Sequence, residues 1–132
     1  FILTHPSKTD LKQIIILLNQ IWPKKKKLEV KRKFLKDINS KIFLIAKSKN
    51  KIVGFISLKP VFLGLIGYIK EFVVTNQYRE KGIGRKLLGN IIKVAKNQSY
   101  KLLFLTAGSH RKKAHQLYKA HGFIKILTLF VR

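Results

Sequence analysis

The stretch from Tyr68 to Arg85 reads Tyr-Ile-Lys-Glu-Phe-Val-Val-Thr-Asn-Gln-Tyr-Arg-Glu-Lys-Gly-Ile-Gly-Arg. It sets two glycines one residue apart, Gly82 and Gly84, among the cations Arg79, Lys81 and Arg85. An apolar strand-like run precedes this turn and a long amphipathic helical pattern follows it. Amides in the first turn of a helix have no partner inside the helix, and the helix dipole adds positive potential there. Glycines let backbone approach a ligand without a Cβ in the way. Such a turn binds a phosphate or pyrophosphate. Two better-known phosphate motifs do not fit. A P-loop needs four residues between its glycines and then Gly-Lys-Ser/Thr, and a dinucleotide fingerprint needs a third glycine where Leu87 stands.

Other residues with chemical potential are few. Glu71 is one of only five acidic residues and sits inside an otherwise apolar strand. A carboxylate there is costly to bury unpaired, so it either serves a site or pairs with a neighbouring Lys. Tyr118 lies on a helical pattern next to Leu117, where packing in the core is one reading. His110, His115 and His121 cluster around that helix, but no pair has a carboxylate at ligand spacing, so no metal site is expected. With no cysteine, thiolate chemistry, disulfides and Cys-type zinc sites are all excluded.

Length and composition bound the frame. The chain has 132 residues, 46% of them hydrophobic, which suits one domain spanning 1–132 with a buried core. It carries 29 Lys+Arg against 5 Asp+Glu, a formal charge of +24. Such a field draws phosphorylated cofactors, nucleic acid, anionic membranes or acidic proteins. The excess is nearly all dispersed Lys, apart from one block at Lys24–Lys27, and dispersed Lys on solvated faces is its ordinary use. The most apolar stretch, Val61 to Ile69, is too short to span a bilayer and is broken by Gly64 and Gly67. No membrane partner and no signal peptide are expected, and a cytoplasmic location is. The chain opens on Phe1 rather than Met, which suggests a start inside its gene product or a trimmed terminus.

The elements that must position these residues follow from periodicity. Leu11–Ile21 reads as a helix preceded by Thr9-Asp10 and stopped before Pro23; Glu29–Ile38 is a second, with Val30, Phe34, Leu35 and Ile38 on one face. Ile42–Ala46 and Ile52–Leu58 form a hairpin around a polar turn at residues 48–51, and Tyr68–Val74 is a third strand. A long helix then buries Ile83, Leu87, Leu88, Ile91, Ile92 and Ala95. Lys101–Thr106 is a buried strand. A last helix runs from Ser109, as N-cap, to His121, with Gly122 as its stop. Phe123–Val131 closes the chain as a strand. The order is α-α-β-β-β-α-β-α-β, with a further strand before Pro6 as an option.

Arg79-x-x-Gly82-x-Gly84 resembles the Arg/Gln-x-x-Gly-x-Gly/Ala signature of the GNAT family of N-acetyltransferases, in that family's place between its fourth strand and the following helix. A second stretch, Ser109 to Phe123, looks like the family's closing helix through Ala114, Tyr118, Gly122 and Phe123. Its Gly-Ser-His-Arg opening resembles a bacterial branch containing aminoglycoside-type acetyltransferases. The resemblance covers Thr4 to Val131. It implies an α/β (α+β) GNAT fold, a mixed and mostly antiparallel central sheet flanked by helices and splayed between strands 4 and 5.

It further implies acetyl-coenzyme A as cosubstrate and an amine as acceptor. In this family the pantetheine arm pairs with strand positions matching Phe72, Val73 and Val74. An amide near Val73 would steady the oxyanion of the tetrahedral intermediate. Backbone of Arg79, Glu80, Lys81, Gly82, Ile83, Gly84 and Arg85 would cradle the pyrophosphate, with the Glu80 side chain simply solvated. Tyr118 matches the general acid that protonates the departing thiolate. Glu71 matches an acidic position near the acceptor, taking the amine proton through water or holding the ammonium. Ser109 stands where many members carry a coenzyme-contacting Asn; it is shorter, and helix capping is its other role. Trp22 and Tyr68 face either the acceptor or the core. Relatives often dimerise, so a homodimer is a candidate partner. Two rival readings use the same fold: a basic module binding nucleic acid or ribosomes, and a non-catalytic acetyl-coenzyme A sensor. Five carboxylates are few for attracting polycationic aminoglycosides. That leaves a protein N-terminus, a lysine side chain or a small neutral-to-acidic amine as the acceptor.

Overall fold

The computed structural model describes residues 2–21, 27–37, 41–107, 111–126 and 129–132. Among them the elements run β1 (Ile2–Thr4), α1 (Leu11–Ile21), α2 (Lys27–Asp37), β2 (Ile42–Ser48), β3 (Lys51–Val61), β4 (Ile66–Val74), α3 (Ile83–Asn97), β5 (Leu102–Thr106), α4 (Lys112–Ala120), β6 (Ile124–Ile126) and β7 (Leu129–Val131). All seven strands join one sheet in the order β1-β2-β3-β4-β5-β7-β6. Among the described strands only the β4–β5 pair is parallel.

Alternation along the strands gives the sheet two apolar faces. Leu44, Ala46, Ile56 and Leu58 pack under α3 and α4, while Phe43, Ile45, Ile52, Phe55 and Val73 pack against Ile14, Leu17, Leu18 and Phe34 of α1 and α2. On α3 every expected apolar position is buried: Ile83, Leu87, Leu88, Ile91, Ile92 and Ala95. Each Ile or Leu among them contributes about 1.5–3 kcal/mol through burial. This helix fixes the frame on which the Gly82 turn sits.

β4 carries the feature that matters most. Its register against β3 passes from Leu58↔Ile69 to Ile56↔Phe72, so Ser57 faces both Lys70 and Glu71. The additional residue is a bulge, and the Glu71 amide donates to Ser57 Oγ at 3.1 Å. A bulge reverses side-chain parity. Ile69 and Phe72 therefore meet the α3-side core, while Glu71 and Val73 turn to the α1–α2 side. On its other edge β4 pairs with β5 only at Ile66↔Leu102, Gly67↔Leu103 and Tyr68↔Phe104. Beyond Tyr68 the two strands part, which is the expected splay. At the paired end Gly67 is closely packed: a Cβ would lie 2.7 Å from both Leu103 Cδ2 and Leu58 Cδ1, and those methyls would have to shift.

Several sequence expectations need correction. The closing strand is a hairpin, with β6 antiparallel to β7. The sequence from β6 to β7 is an apolar run with neither Gly nor Pro to divide it. The last helix begins at Lys112 with Arg111 at its N-cap, later than the sequence expectation. Leu35 is exposed rather than on the buried face of α2. The cap ahead of α1 is built from Ser7 and Asp10, the Ser7 amide donating to Asp10 Oδ2 at 2.8 Å. Trp22, Ile38, Ser109, His110 and most of the Lys24–Lys27 block lie outside the described residues.

Candidate active site

Where β4 leaves β5, α4 packs across the opening. Phe72, Val73, Val74, Arg79, Arg111, Ala114, Leu117 and Tyr118 line a cleft of about 510 Å³. The backbone on its strand side can be assigned. The Thr75 amide donates to Val53 O at 2.9 Å, and β3–β4 register pairs Phe55 with Val73 and Ile56 with Phe72. In an antiparallel ladder, hydrogen-bonded and non-hydrogen-bonded pairs alternate. Val73 thus spends its amide on Phe55, and the groups facing the opening belong to Phe72 and Val74. The expectation of an available amide at Val73 shifts to these two neighbours. Val74 O already accepts from Arg79 Nε at 3.1 Å, which confirms its direction.

The glycine turn lies at the far end of β4. Gly82 has φ +83°, a left-handed conformation that disfavours side chains. The first helical hydrogen bond runs from the Lys86 amide to Gly82 O at 3.1 Å. The amides of Ile83, Gly84 and Arg85 precede it and have no intrahelical acceptor. Gly84 is different: a Cβ there would meet Phe72, Val74 and Leu117 only at ordinary contact distances of 3.6–3.8 Å. Its small size leaves surface open rather than relieving strain. A second hollow, of about 570 Å³, runs past Gly82, Gly84, Arg85, Lys113 and Gln116 and meets the first at Leu117. Lys81 sits over the Tyr78 ring, 5.2 Å from its centroid. Glu80 is not simply solvated: it pairs with Lys113 of α4, which holds its carboxyl below the usual range.

Tyr118 is buried between Phe72, Phe123 and Phe130, with ring centroids 6.4, 6.1 and 5.2 Å away. Burial raises its phenol above the ordinary value, and the nearby Arg111 charge opposes that only in part. The phenol therefore stays protonated at neutral pH. Phe72 of β4 is one of these ring neighbours and lines the cleft with Tyr118, so the ring and the open edge of β4 share it.

Glu71 is not in that cleft. It points to the other face of β4, where Lys41 Nζ donates to its Oε1 at 2.8 Å, with both side chains buried. Lys41 also lies 4.7 Å above the Phe34 ring. Glu71 Oε2 is buried without a hydrogen-bond partner. Lys41, at the start of β2, and Arg111, at the start of α4, were not singled out by sequence, because a lone Lys or Arg before an element gives no sign of where it points. Tyr68 stacks on Phe104 at 4.6 Å and 1°, which makes it a packing residue. His115 is buried edge-on to Phe130, and His121 Nδ1 lies 2.9 Å from Leu117 O. Among the described residues no three His, Cys, Asp or Glu gather as a metal site would need.

Known proteins share this fold. Residues 11–123 match the acetyltransferase (GNAT) family. The chain is 28% identical over 87 residues to human N-acetyltransferase 8, a match covering 63% of this chain and 38% of that protein. It thus spans well under half the length of this curated relative. An acetyltransferase of the GNAT family from Staphylococcus aureus Mu50 superposes with a TM-score of 0.84 at 19% identity, over 99% of this chain and 97% of the other. An aminoglycoside 6'-N-acetyltransferase complexed with coenzyme A superposes with a TM-score of 0.81 at 15% identity, over 100% and 96%. A splayed sheet, a glycine turn at the head of α3 and a family match over most of the length lead to one conclusion: the chain belongs to the GNAT acetyltransferase family.

Proposed function

We propose that the protein transfers an acetyl group from acetyl-coenzyme A to a primary amine by direct attack. The observation that carries this is the shared cleft, in which a protonated, buried tyrosine faces an unpaired strand edge. Coenzyme A in the superposed aminoglycoside enzyme supports the same donor. Acetyl-coenzyme A supplies the activated acetyl when bound; the remaining chemistry is done by protein groups. The amides of Ile83, Gly84 and Arg85, with Arg79 and Lys81, hold the pyrophosphate. The outward groups of Phe72 and Val74 orient the pantetheine arm, and one of those amides donates to the developing oxyanion. Tyr118 holds the proton that the leaving thiolate takes. Glu71 lies on the opposite face of β4, outside this cleft; its part in the proposal is to take the amine's proton through intervening water or to hold the ammonium.

The acceptor follows from charge. With five acidic residues against 29 basic, the surface repels polycations. A protein N-terminus, a lysine side chain or a small neutral-to-acidic amine suits it better than an aminoglycoside. A thiol-release assay over a panel of amines tests the proposal directly. Turnover with at least one amine, lost in Tyr118→Phe, is expected. Absence of thiol release with every amine, despite acetyl-coenzyme A binding, would refute the enzyme in favour of a sensor.

A further inference from the structure

The β3–β4 turn carries a second exposed feature, at the opposite end of β4 from the glycine turn. Phe62 is 75% exposed, Leu63 is fully exposed and Leu65 is 52% exposed. Phe62, Leu63 and Gly64 follow one another with φ of 48°, 59° and 79°. Two consecutive large residues in the left-handed region are unfavourable. The turn nevertheless holds that shape through Gly64 N to Val61 O at 3.1 Å and Leu65 N to Phe62 O at 3.2 Å. The result is a fixed apolar point rather than a folded-back loop.

Its surroundings are basic. Lys101 is exposed and its amide donates to Leu65 O at 2.8 Å. Lys59 and Lys70 lie on the two strands that lead from the turn. No Asp or Glu occurs in residues 51–70 or 96–102. The nearest acid along the chain, Glu71, is buried and paired with Lys41.

We infer that this turn is a membrane-docking point, inserting Phe62, Leu63 and Leu65 at the surface of an anionic bilayer while the surrounding lysines meet the headgroups. Charge complementarity favours lipid: a +24 chain has an acid-free apolar point at one end. Area argues against a protein partner, because three side chains cannot supply the about 800 Å² per side that a stable interface uses. A shallow insertion of apolar residues beside basic ones is how peripheral proteins hold a membrane surface. β4 is nine residues long, so the glycine turn stays about 25–30 Å away in solution. The proposal departs from the sequence expectation of no membrane partner. It does not depend on the acetyltransferase reading, and its test does not use activity.

The chain has no cysteine, so Leu63→Cys and Asn76→Cys each create one labelling site, at the turn and at the far end of β4. Each carries an environment-sensitive fluorophore. Vesicles of phosphatidylcholine, with and without phosphatidylserine, are then added. The expected result is a blue shift at position 63 with the serine-lipid vesicles and no shift at 76. In flotation at moderate salt, Phe62→Ser/Leu63→Ser should weaken unlabelled binding by about tenfold or more, with an unchanged circular dichroism spectrum. Three results would overturn the inference. One is no binding by the parent chain. Another is equal binding by the double variant, which would assign it to charge alone. The third is self-association removed by the double variant, which would make the turn a protein contact.

Discussion

The two halves of β4 differ in what their outer edge does. From Ile66 to Tyr68 it is zipped to β5, and a Cβ on Gly67 would press on Leu103 and Leu58. From Phe72 to Val74 it is open, and a cleft takes the place of the neighbouring strand. Between them lies the bulge at Lys70–Glu71, held by Ser57 and by the Lys41 pair. The zipped half is structural and invites packing tests. The open half keeps unpaired backbone, which a protein tolerates only where something else partners it. Perturbing each half should therefore move a different quantity.

The largest effect is expected at the open half. Under the proposed chemistry, Tyr118→Phe removes the proton donor and keeps the ring that packs on Phe72, Phe123 and Phe130. kcat should fall about 10²–10⁴-fold, with little change in KM for acetyl-coenzyme A or in Tm. Steady-state kinetics checks this. Unchanged kcat would leave Tyr118 as a packing residue and the open edge without its acid.

At the bulge, removing one member of a buried ion pair strands the other. Lys41→Met should destabilise the fold by about 3–5 kcal/mol by urea unfolding, whereas Lys41→Met/Glu71→Leu should recover most of that loss. The pair of variants also sharpens the role of Glu71. A double variant that folds like the parent but turns over amines poorly assigns Glu71 to chemistry; one that keeps full turnover confines it to holding the bulge.

The zipped half should respond in stability alone. Gly67→Ala forces Leu58 and Leu103 apart and should cost about 1–3 kcal/mol. Acetyl-coenzyme A affinity in the same variant, measured by calorimetry, should stay within a factor of two or so, since Gly67 touches neither the cleft nor the turn. A large affinity loss would mean that the two halves are mechanically coupled, and the comparison would fail.

How much of this the sequence disclosed depended on whether a signal was local. The amphipathic run of α3 named all six of its buried residues, because a 3.6-residue period needs no partner to be read. The glycine turn was legible because left-handed backbone at Gly82 selects the residue type directly. The pairing of β6 with β7 was missed because one apolar run, without Gly or Pro, covers both strands. The bulge was invisible for a deeper reason. It is a mismatch in length between β3 and β4, so neither strand alone records it, and the choice between Phe72, Val73 and Val74 as edge residues hinged on it. Lys41 was missed likewise: its partner Glu71 is 30 positions away.

The smallest effects separate the two carboxylates that fasten each region. Asp10 joins the start of α1 to β2 through Lys47 at 2.8 Å, and that hydrogen bond, with others from Ser7, holds its carboxyl below the ordinary value. Glu80 fastens the glycine turn to α4 through Lys113, both side chains being exposed. Both carboxyls are depressed, so the unfolded chain binds protons first as the pH drops. Their stabilisation is present above the ordinary carboxylate range, near pH 4, and is lost as pH falls through it toward the lower folded value. Exposure and salt should cancel most of the Glu80 share. Urea midpoints at pH 7 and pH 3.5, in high salt, should therefore fall less with acid in Asp10→Asn than in the parent. Glu80→Gln should follow the parent. If Glu80→Gln also flattened the acid response, the Glu80–Lys113 pair would hold the glycine turn as firmly as Asp10 holds α1 to β2, despite its exposure.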